Sequence, residues 1–490
     1  MTDRLIGSVL SGLDVRPLHG AERCRAGRLV EDSRVVQPGD VFLARVGEGV
    51  DGRAFIGQAE ALGAVAILSD AIGCKAATIP ALLSERPERV GAVLAQRLAG
   101  SPSERLSLVG VTGTNGKTTV STLLADVFRG VGPCGLLGGI CIEDGLDREA
   151  ASLTTPMAAD VAQWLRRTVA HGCDRAVMEV SSHAIDQGRV EGLRFAGGIF
   201  TNLSGDHLDY HGSMDAYARC KHQLFASLPS DGFAIVNLDD PASEDMVAGI
   251  SADVVRCTLG GGGDVNGRIV ESSVDGTTVS VESPWGCGVV SVPLAGSHNA
   301  MNAMQALAAA CVMGLGFRQA SDRIATAKAP PGRLERVCER PRVFVDFAHT
   351  DAALEAVLQS LQDLVPPGGR ILVVVGCGGD RDRTKRPRMA AIACAADRVW
   401  LTSDNPRSED PHRILADMME GVPEAAAATV DAIVDRRQAI GDAIREASPE
   451  DIVLIAGKGH EQVQLIGSQA FPFDDRRVAL DAVQQRGARA

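Results

Sequence analysis

The segment Thr112-Gly113-Thr114-Asn115-Gly116-Lys117-Thr118-Thr119 follows an apolar run, Leu106–Val111, and opens a helical pattern, Thr118–Phe128. Glycines at 113 and 116 let the backbone wrap a phosphate, with main-chain amides and a helix N-terminus pointing at its oxygens. Lys117 would reach the terminal phosphates, and Thr118 would ligate Mg²⁺. The expected chemistry is phosphoryl transfer from a nucleoside triphosphate, with Gly113, Thr114, Asn115, Gly116 and Thr119 as the cradle. One position departs from the strict phosphate-loop spacing: six residues before the lysine stands Val111, not glycine.

Such a loop serves switches, motors, kinases and ligases alike, so other clusters must decide. Glu179 ends an apolar run in MEVSSHAIDQGRV, the place for a second magnesium-side carboxylate. FTNLSGDHLDYHG gathers Asp206, His207, Asp209 and His211 behind another run. The four-residue spacing of the histidines admits a zinc pair. It equally admits a polar loop bonded to itself. Lys221 lies in a helical pattern with apolar neighbours, where most lysines are merely solvated. Towards the C-terminus, GCGGDRDRTKRPRM and SDNPRSEDP bring Arg381, Arg383, Lys385, Arg386 and Arg407 to strand ends. Arginines there suit a planar carboxylate or phosphate. In GKGHE, Glu461 reads as an exposed acid able to receive an ammonium group.

These residues need elements to hold them. Strands are expected at Leu106–Val111, Ala176–Val180, Gly198–Thr201 and Phe233–Asn237, alternating with helices Thr118–Phe128, Asp215–Leu228 and Asn299–Met313. The alternation predicts a doubly wound, mostly parallel sheet. Residues 254–293 read as short β-hairpins. After Ala329-Pro330-Pro331-Gly332, a linker, the rhythm restarts with strands Val343–Asp346, Ile371–Val375, Arg398–Thr402 and Ile452–Ala456. The expected architecture is α/β in three domains: residues 1–102, a central 103–329, and a Rossmann-like 330–490. Ligands in such sheets sit at the carboxyl ends of the strands, where these motifs fall.

Composition narrows the partners. With 490 residues, 49 Lys and Arg against 62 Asp and Glu, the net charge of −13 argues against a nucleic-acid binder. The N-terminus lacks a signal-peptide pattern, and the apolar stretch His298–Gly316 carries too many polar residues for a membrane span. Twelve scattered cysteines suit a reducing cytoplasm.

Taken in order, DSRxVxPGDxF (residues 32–42), TGTNGKTT, LTTP (153–156), EVSSHA..QGRV, FTNL..DHLDYHG, PGRLERV, VDFAHT, GCGGDRD..KRP, DNPR and GKGHE resemble the Mur ligases. The resemblance is to the members that extend UDP-N-acetylmuramoyl-L-alanyl-D-glutamate with meso-2,6-diaminopimelate during cytoplasmic peptidoglycan precursor synthesis. It implies use of ATP and two Mg²⁺ ions. Thr118 and Glu179 would hold one ion, His207 and a carbamylated Lys221 the other. Asn302, Arg333, Asp346 and His349 would contact the nucleotide. Ser33 would contact the uridine diphosphate end, and Thr154, Thr155, Ser181, Gln187 and Arg189 the muramoyl-dipeptide. Arg381, Asp404, Asn405, Pro406, Arg407, Gly457 and Glu461 would receive the amino acid, with Arg407 in DNPR separating diaminopimelate from lysine. Three positions depart from the family pattern: Gly205 where Arg is usual, Ser297-His298 where Phe is usual, and Asp351 where Pro is usual. A lysine-adding sister, a folylpolyglutamate synthase and a nucleotide switch with a decayed ligase site remain as rival readings.

Overall fold

A computed structural model of the chain describes residues 3–47 and 49–487. Three sheets carry it. The first has five strands, in the order Arg16–Leu18, Ala81–Leu83, Ala66–Ser69, Asp40–Ala44 and Arg28–Val30, and is parallel except at the Arg16–Leu18 edge. Its helix Pro87–Leu98 packs on Ala159 and Ala162 of the next part, and Arg89 pairs with Glu191 at 2.9 Å.

The second sheet has eleven strands. Its parallel core runs Cys134–Leu137, Arg175–Glu179, Ser107–Thr112, Gly197–Phe200, Phe233–Asn237 and Asp253–Thr258. Ser107–Thr112 is buried from its second residue onward, as a central parallel strand covered by helices on both faces must be. Residues 254–293 match the hairpin expectation from 265 onward and depart from it before that. Asp253–Thr258 is the sixth parallel strand, and Val265–Ser273, Gly276–Ser283 and Gly286–Val292 form an antiparallel meander that prolongs the same sheet. The polar sequence of Asp253–Thr258 hid its parallel pairing, because only its last two residues are fully buried. Helix Ser297–Val312 packs on the sheet and on helices Lys117–Arg129 and Phe317–Thr326 and is buried over residues 299–311; no helix among the described residues is long and apolar enough to cross a membrane.

The third sheet orders Glu335–Glu339, Arg342–Asp346, Ile452–Ala456, Ile371–Cys377, Arg398–Ser403 and Val430–Ile433, antiparallel only at its first strand. It docks on the second. Ala295 sits in the third sheet's apolar core, and Arg336 pairs with Asp275 at 2.7 Å. Gly332, in the linker, takes φ +67, and a Cβ there would lie 2.2 Å from His460 N, so only glycine lets the linker pass the GKGHE loop.

Candidate functional site

Strand Ser107–Thr112 delivers the loop 113–116, and helix Lys117–Arg129 leaves it. The loop is closed by contacts no side chain could survive. A Cβ on Gly113 would lie 1.9 Å from Thr201 Oγ1, and one on Gly116 (φ +84) 2.5 Å from Asn302 Oδ1. Asn115 N donates to Asn202 Oδ1 at 2.9 Å, and Thr114 Oγ1 accepts from Ser204 N at 3.0 Å. Lys117 Nζ folds back onto the carbonyls of Gly113 and Thr114, at 3.0 and 2.8 Å. Thr118 and Thr119 are buried.

Around Lys117 stand the other candidates. Burial drives its amine down, while Glu179 and Asp206 pull it up. Glu179 Oε1 accepts from Gly139 N at 3.0 Å. Lys221, on helix Met214–Ala226, is 1% exposed. Its Nζ donates to Gly113 O at 2.9 Å and lies 4.4 Å from the centre of the Tyr217 ring. Burial, then Lys117, pushes this amine well below its ordinary range. His207 takes φ +56 before the short helix Leu208–His211, and burial lowers its imidazole to about 3, so it is neutral. His211 instead bonds Ser182 Oγ at 2.9 Å. Among the described residues the two histidines belong to no cluster of three metal-ligating His, Cys, Asp or Glu groups, so a zinc pair has no third ligand of that kind.

The donors otherwise fit a hard cation. Thr118 hydroxyl, Glu179 carboxylate and neutral His207 are oxygen and nitrogen ligands. Lys221 as an ammonium would repel the ion; as a carbamate it would supply oxygens.

Thr155, Ser181, Gln187 and Arg189 share one network with strand Arg175–Glu179. Thr155 Oγ1 donates to Glu179 O at 2.9 Å and accepts from Ser181 N at 3.0 Å. Arg189 donates from Nη1 to Thr155 O at 2.8 Å and from Nε to Gln187 Oε1 at 3.1 Å. Thr154 is half-buried beside Gly139. Ser33 stands elsewhere, in the short 3-10 helix Ser33–Val35 that follows strand Arg28–Val30 of the first sheet, donating to Gln58 at 2.9 Å.

The third sheet reaches across. Arg333 Nη2 donates to Thr118 Oγ1 at 3.0 Å and its guanidinium lies 4.5 Å from the Phe347 ring centre. Asp346 accepts from the amides of Leu334 and Ala348. His349 Nε2 comes within 3.7 Å of Asp206, whose carboxyl is raised by burial but held far below its usual range by His349 and the cations around it. Between the parts lies a cavity of about 300 Å³ lined by Asn115, Gly116, Asn302, Arg333 and Asp346, among others.

A second cluster sits at the third sheet's carboxyl edge. Asn405 Nδ2 donates to Glu461 Oε2 at 2.8 Å, and Gly457 (φ +113) brings its backbone within reach of Asp404. Pro406 is buried, and Arg381 is exposed. Arg407, at φ +51, is fixed by its own backbone: its N donates to Leu465 O, and its carbonyl accepts from Gly467 N. Its Nη1 donates to Gly379 O at 2.7 Å. Glu461 is not the exposed acid expected. It is half-buried, and Lys458, fully buried, holds its Oε2 at 2.8 Å. Sequence reasoning passed over Lys458; its place between two glycines after a strand was the signal.

Residues 29–100 match the family description "Mur ligase family, catalytic domain", 111–310 "Mur ligase middle domain" and 332–459 "Mur ligase, glutamate ligase domain". A Chromobacterium violaceum protein described as UDP-N-acetylmuramoyl-L-alanyl-D-glutamate--2,6-diaminopimelate ligase is 42% identical over 94% of this chain and 95% of its own. The chain belongs to the Mur ligase family. Among solved Mur ligases, one described by the same activity is 32% identical, with a TM-score of 0.66 over 94% of this chain and 96% of that one. The Thermotoga maritima Mur ligase MurF, solved with ADP, shares the fold at 18% identity and a TM-score of 0.68, over 94% and 98% of the two chains.

Proposed function

We propose that this Mur ligase uses ATP to join meso-2,6-diaminopimelate to UDP-N-acetylmuramoyl-L-alanyl-D-glutamate, in the cytoplasm. The observation that carries the reading is the cavity where the phosphate loop meets Arg333 and Asp346 of the third sheet. A nucleotide there would touch both parts at once. Near-full-length similarity to relatives of that stated activity supports the choice of substrates. The division 1–102, 103–329 and 330–490 belongs to the same proposal, the three parts taking the uridine diphosphate end, the nucleotide and the amino acid.

In the proposed reaction the side-chain carboxylate of the D-glutamyl residue attacks the γ-phosphorus. A P–O bond forms, the bond to ADP breaks, and an acyl phosphate results. An amine of diaminopimelate then attacks the acyl carbon. The tetrahedral intermediate collapses to an amide, releasing phosphate and a proton. Lys117 would leave its loop carbonyls for the γ-phosphate oxygens as charge gathers there. Thr155, Ser181, Gln187 and Arg189 would hold the dipeptide near Glu179. Thr118, Glu179, His207 and carbamylated Lys221 would hold two Mg²⁺, whose chemistry is to neutralise phosphate charge. Docking of the third sheet excludes water, which would hydrolyse the acyl phosphate. Arg407, Arg381, Asn405 and Glu461 would receive the amino acid, Arg407 forking onto the carboxylate that lysine lacks.

The test is direct. Purified protein receives ATP, Mg²⁺, the muramoyl-dipeptide nucleotide, and diaminopimelate or lysine in separate reactions. Product mass should rise by one diaminopimelate residue; a lysine adduct alone, or ATP hydrolysis without either product, would overturn the assignment.

A further inference from the structure

The cavity between the second and third sheets is lined by two unlike sets of residues. One includes Asn115 and Gly116 of the phosphate loop. The other, Met301 with Ala352, Ala356 and Val357, the last three on helix Asp351–Gln362, offers apolar surface fit for the flat face of a heterocycle. His298, in the first turn of helix Ser297–Val312, lines the cavity with them.

His298 reaches across the cleft. Its Nδ1 lies 3.4 Å from Ser360 Oγ, on the facing helix. Ser360 Oγ in turn lies 2.8 Å from Ala356 O. A carbonyl can only accept, so the Ser360 proton is committed to Ala356. Ser360 Oγ must then accept from His298, which puts the imidazole proton on Nδ1. Burial lowers this imidazole to about 4, so the ring is neutral at physiological pH. Nε2 is left as a bare acceptor, and it makes no hydrogen bond among the described residues. The contact is tight: a Cβ on Gly296 would lie 2.5 Å from Ser360 Oγ and 2.8 Å from His298 Cε1.

We propose that His298 selects the nucleobase: its Nε2 accepts a hydrogen bond from an exocyclic amino group such as adenine's, and refuses a purine bearing a carbonyl oxygen at that position. A carbonyl would set two acceptors against each other in a partly desolvated slot. Ser360 acts as the positioning residue that fixes the tautomer. Because Ser360 belongs to the third sheet's part and His298 to the second's, the acceptor is set only when the two are docked. Base selection is therefore coupled to closure.

The inference rests on the reading that this cavity takes ATP, and one experiment separates the two. Ligation is followed with ATP and with ITP, whose base carries the carbonyl, in the parent, His298→Phe and Ser360→Ala. The parent should prefer ATP by roughly ten- to a hundred-fold in kcat/KM. His298→Phe keeps a ring and removes the acceptor, so the preference should collapse. Ser360→Ala frees the tautomer, so Nε2–H can donate to ITP and the preference should shrink. A preference that is absent in the parent, or that survives either substitution, overturns the proposal. If a variant does not fold, binding of purine ribonucleoside triphosphate to the parent replaces it. Weaker binding than ATP's supports the acceptor; equal binding overturns it. Failure of the parent to turn over ATP would instead sink the underlying nucleotide reading.

Discussion

In the third sheet's part, Arg386 and Arg436 are fully buried, and each lies against carboxylates: Arg386 against Glu409 and Asp417, Arg436 against Asp475, all at 2.7 Å. Lys458, equally buried, has Glu461 at 2.8 Å. Around the phosphate loop the pattern reverses. Lys221 and Lys117 have no carboxylate within ion-pair distance among the described residues; they donate to loop carbonyls. Arg333 reaches a hydroxyl and a ring, with its Nε sealed and unpaired. Removing a charge from water without an opposite charge costs several kcal/mol. The proposed function gives this unpaired set its use: the phosphates of the nucleotide would meet Lys117 and Arg333, and a carbamate would form on Lys221.

The contrast is broken most severely at Lys117. Lys117→Ala should lower ligation by roughly a thousandfold or more, since charge developing on the phosphates would lose its nearest side-chain cation. Product formation at a parent-like rate would show that the unpaired lysines await no phosphate.

Stability provides the sharper version. Arg436→Met leaves Asp475 buried and alone, and should destabilise by about 3–5 kcal/mol. Lys221→Met removes a cation that lacks an opposite charge, so it should leave the melting temperature level or higher while abolishing ligation. Thermal unfolding of the two variants side by side checks this. A fall at Lys221→Met as large as at Arg436→Met would erase the difference between the two regions.

How far the sequence revealed this contrast depended on range. The phosphate loop, Glu179 and the arginine loops were legible because each directly follows a run of buried apolar residues, and strands deliver loops to one edge. Pairing between distant residues was not. Nothing local tells that Lys458 meets Asn405, 53 positions away, or that Ser360 meets His298, 62 positions away. Departures from the family pattern became readable only in three dimensions. A Cβ at Gly205 would meet open space, and Asp351 pairs with Arg388 at 2.8 Å. Asp253–Thr258 was misread because an outer parallel strand need not be apolar throughout.

Arg407 tests the satisfied side. Among the described residues its guanidinium donates only to Gly379 O, and burial, then Arg381, lowers its pKa from the usual arginine value. It thus differs from Arg386, Arg436 and Lys458 of the same part, each of which lies against a carboxylate. Arg407→Ala should reduce the preference for diaminopimelate over lysine by about two orders of magnitude, equivalent to a few kcal/mol. Competition between the two amino acids, read by product mass, measures the ratio. An unchanged ratio would return Arg407 to the structural group.

The smallest effect concerns a satisfied anion. Burial raises the Asp144 carboxyl, but the amide of Asp147, the Arg167 guanidinium, the amide of Leu146 and His171 outweigh it and hold it at about 2. Its folded value lies below the unfolded carboxylate's, so its contribution is complete above pH ~4 and drains away as pH falls towards 2. That contribution is on the order of 2 kcal/mol. Asp144→Asn should therefore lower the melting temperature at pH 7 by a few degrees and converge on the parent as acid protonates Asp144. Curves that stay parallel down to pH 3 would show that the hydrogen-bonded shape, and not the charge, is what this cluster contributes. Asp144 would then no longer represent the charge-satisfied class against which the lysines of the phosphate loop are set.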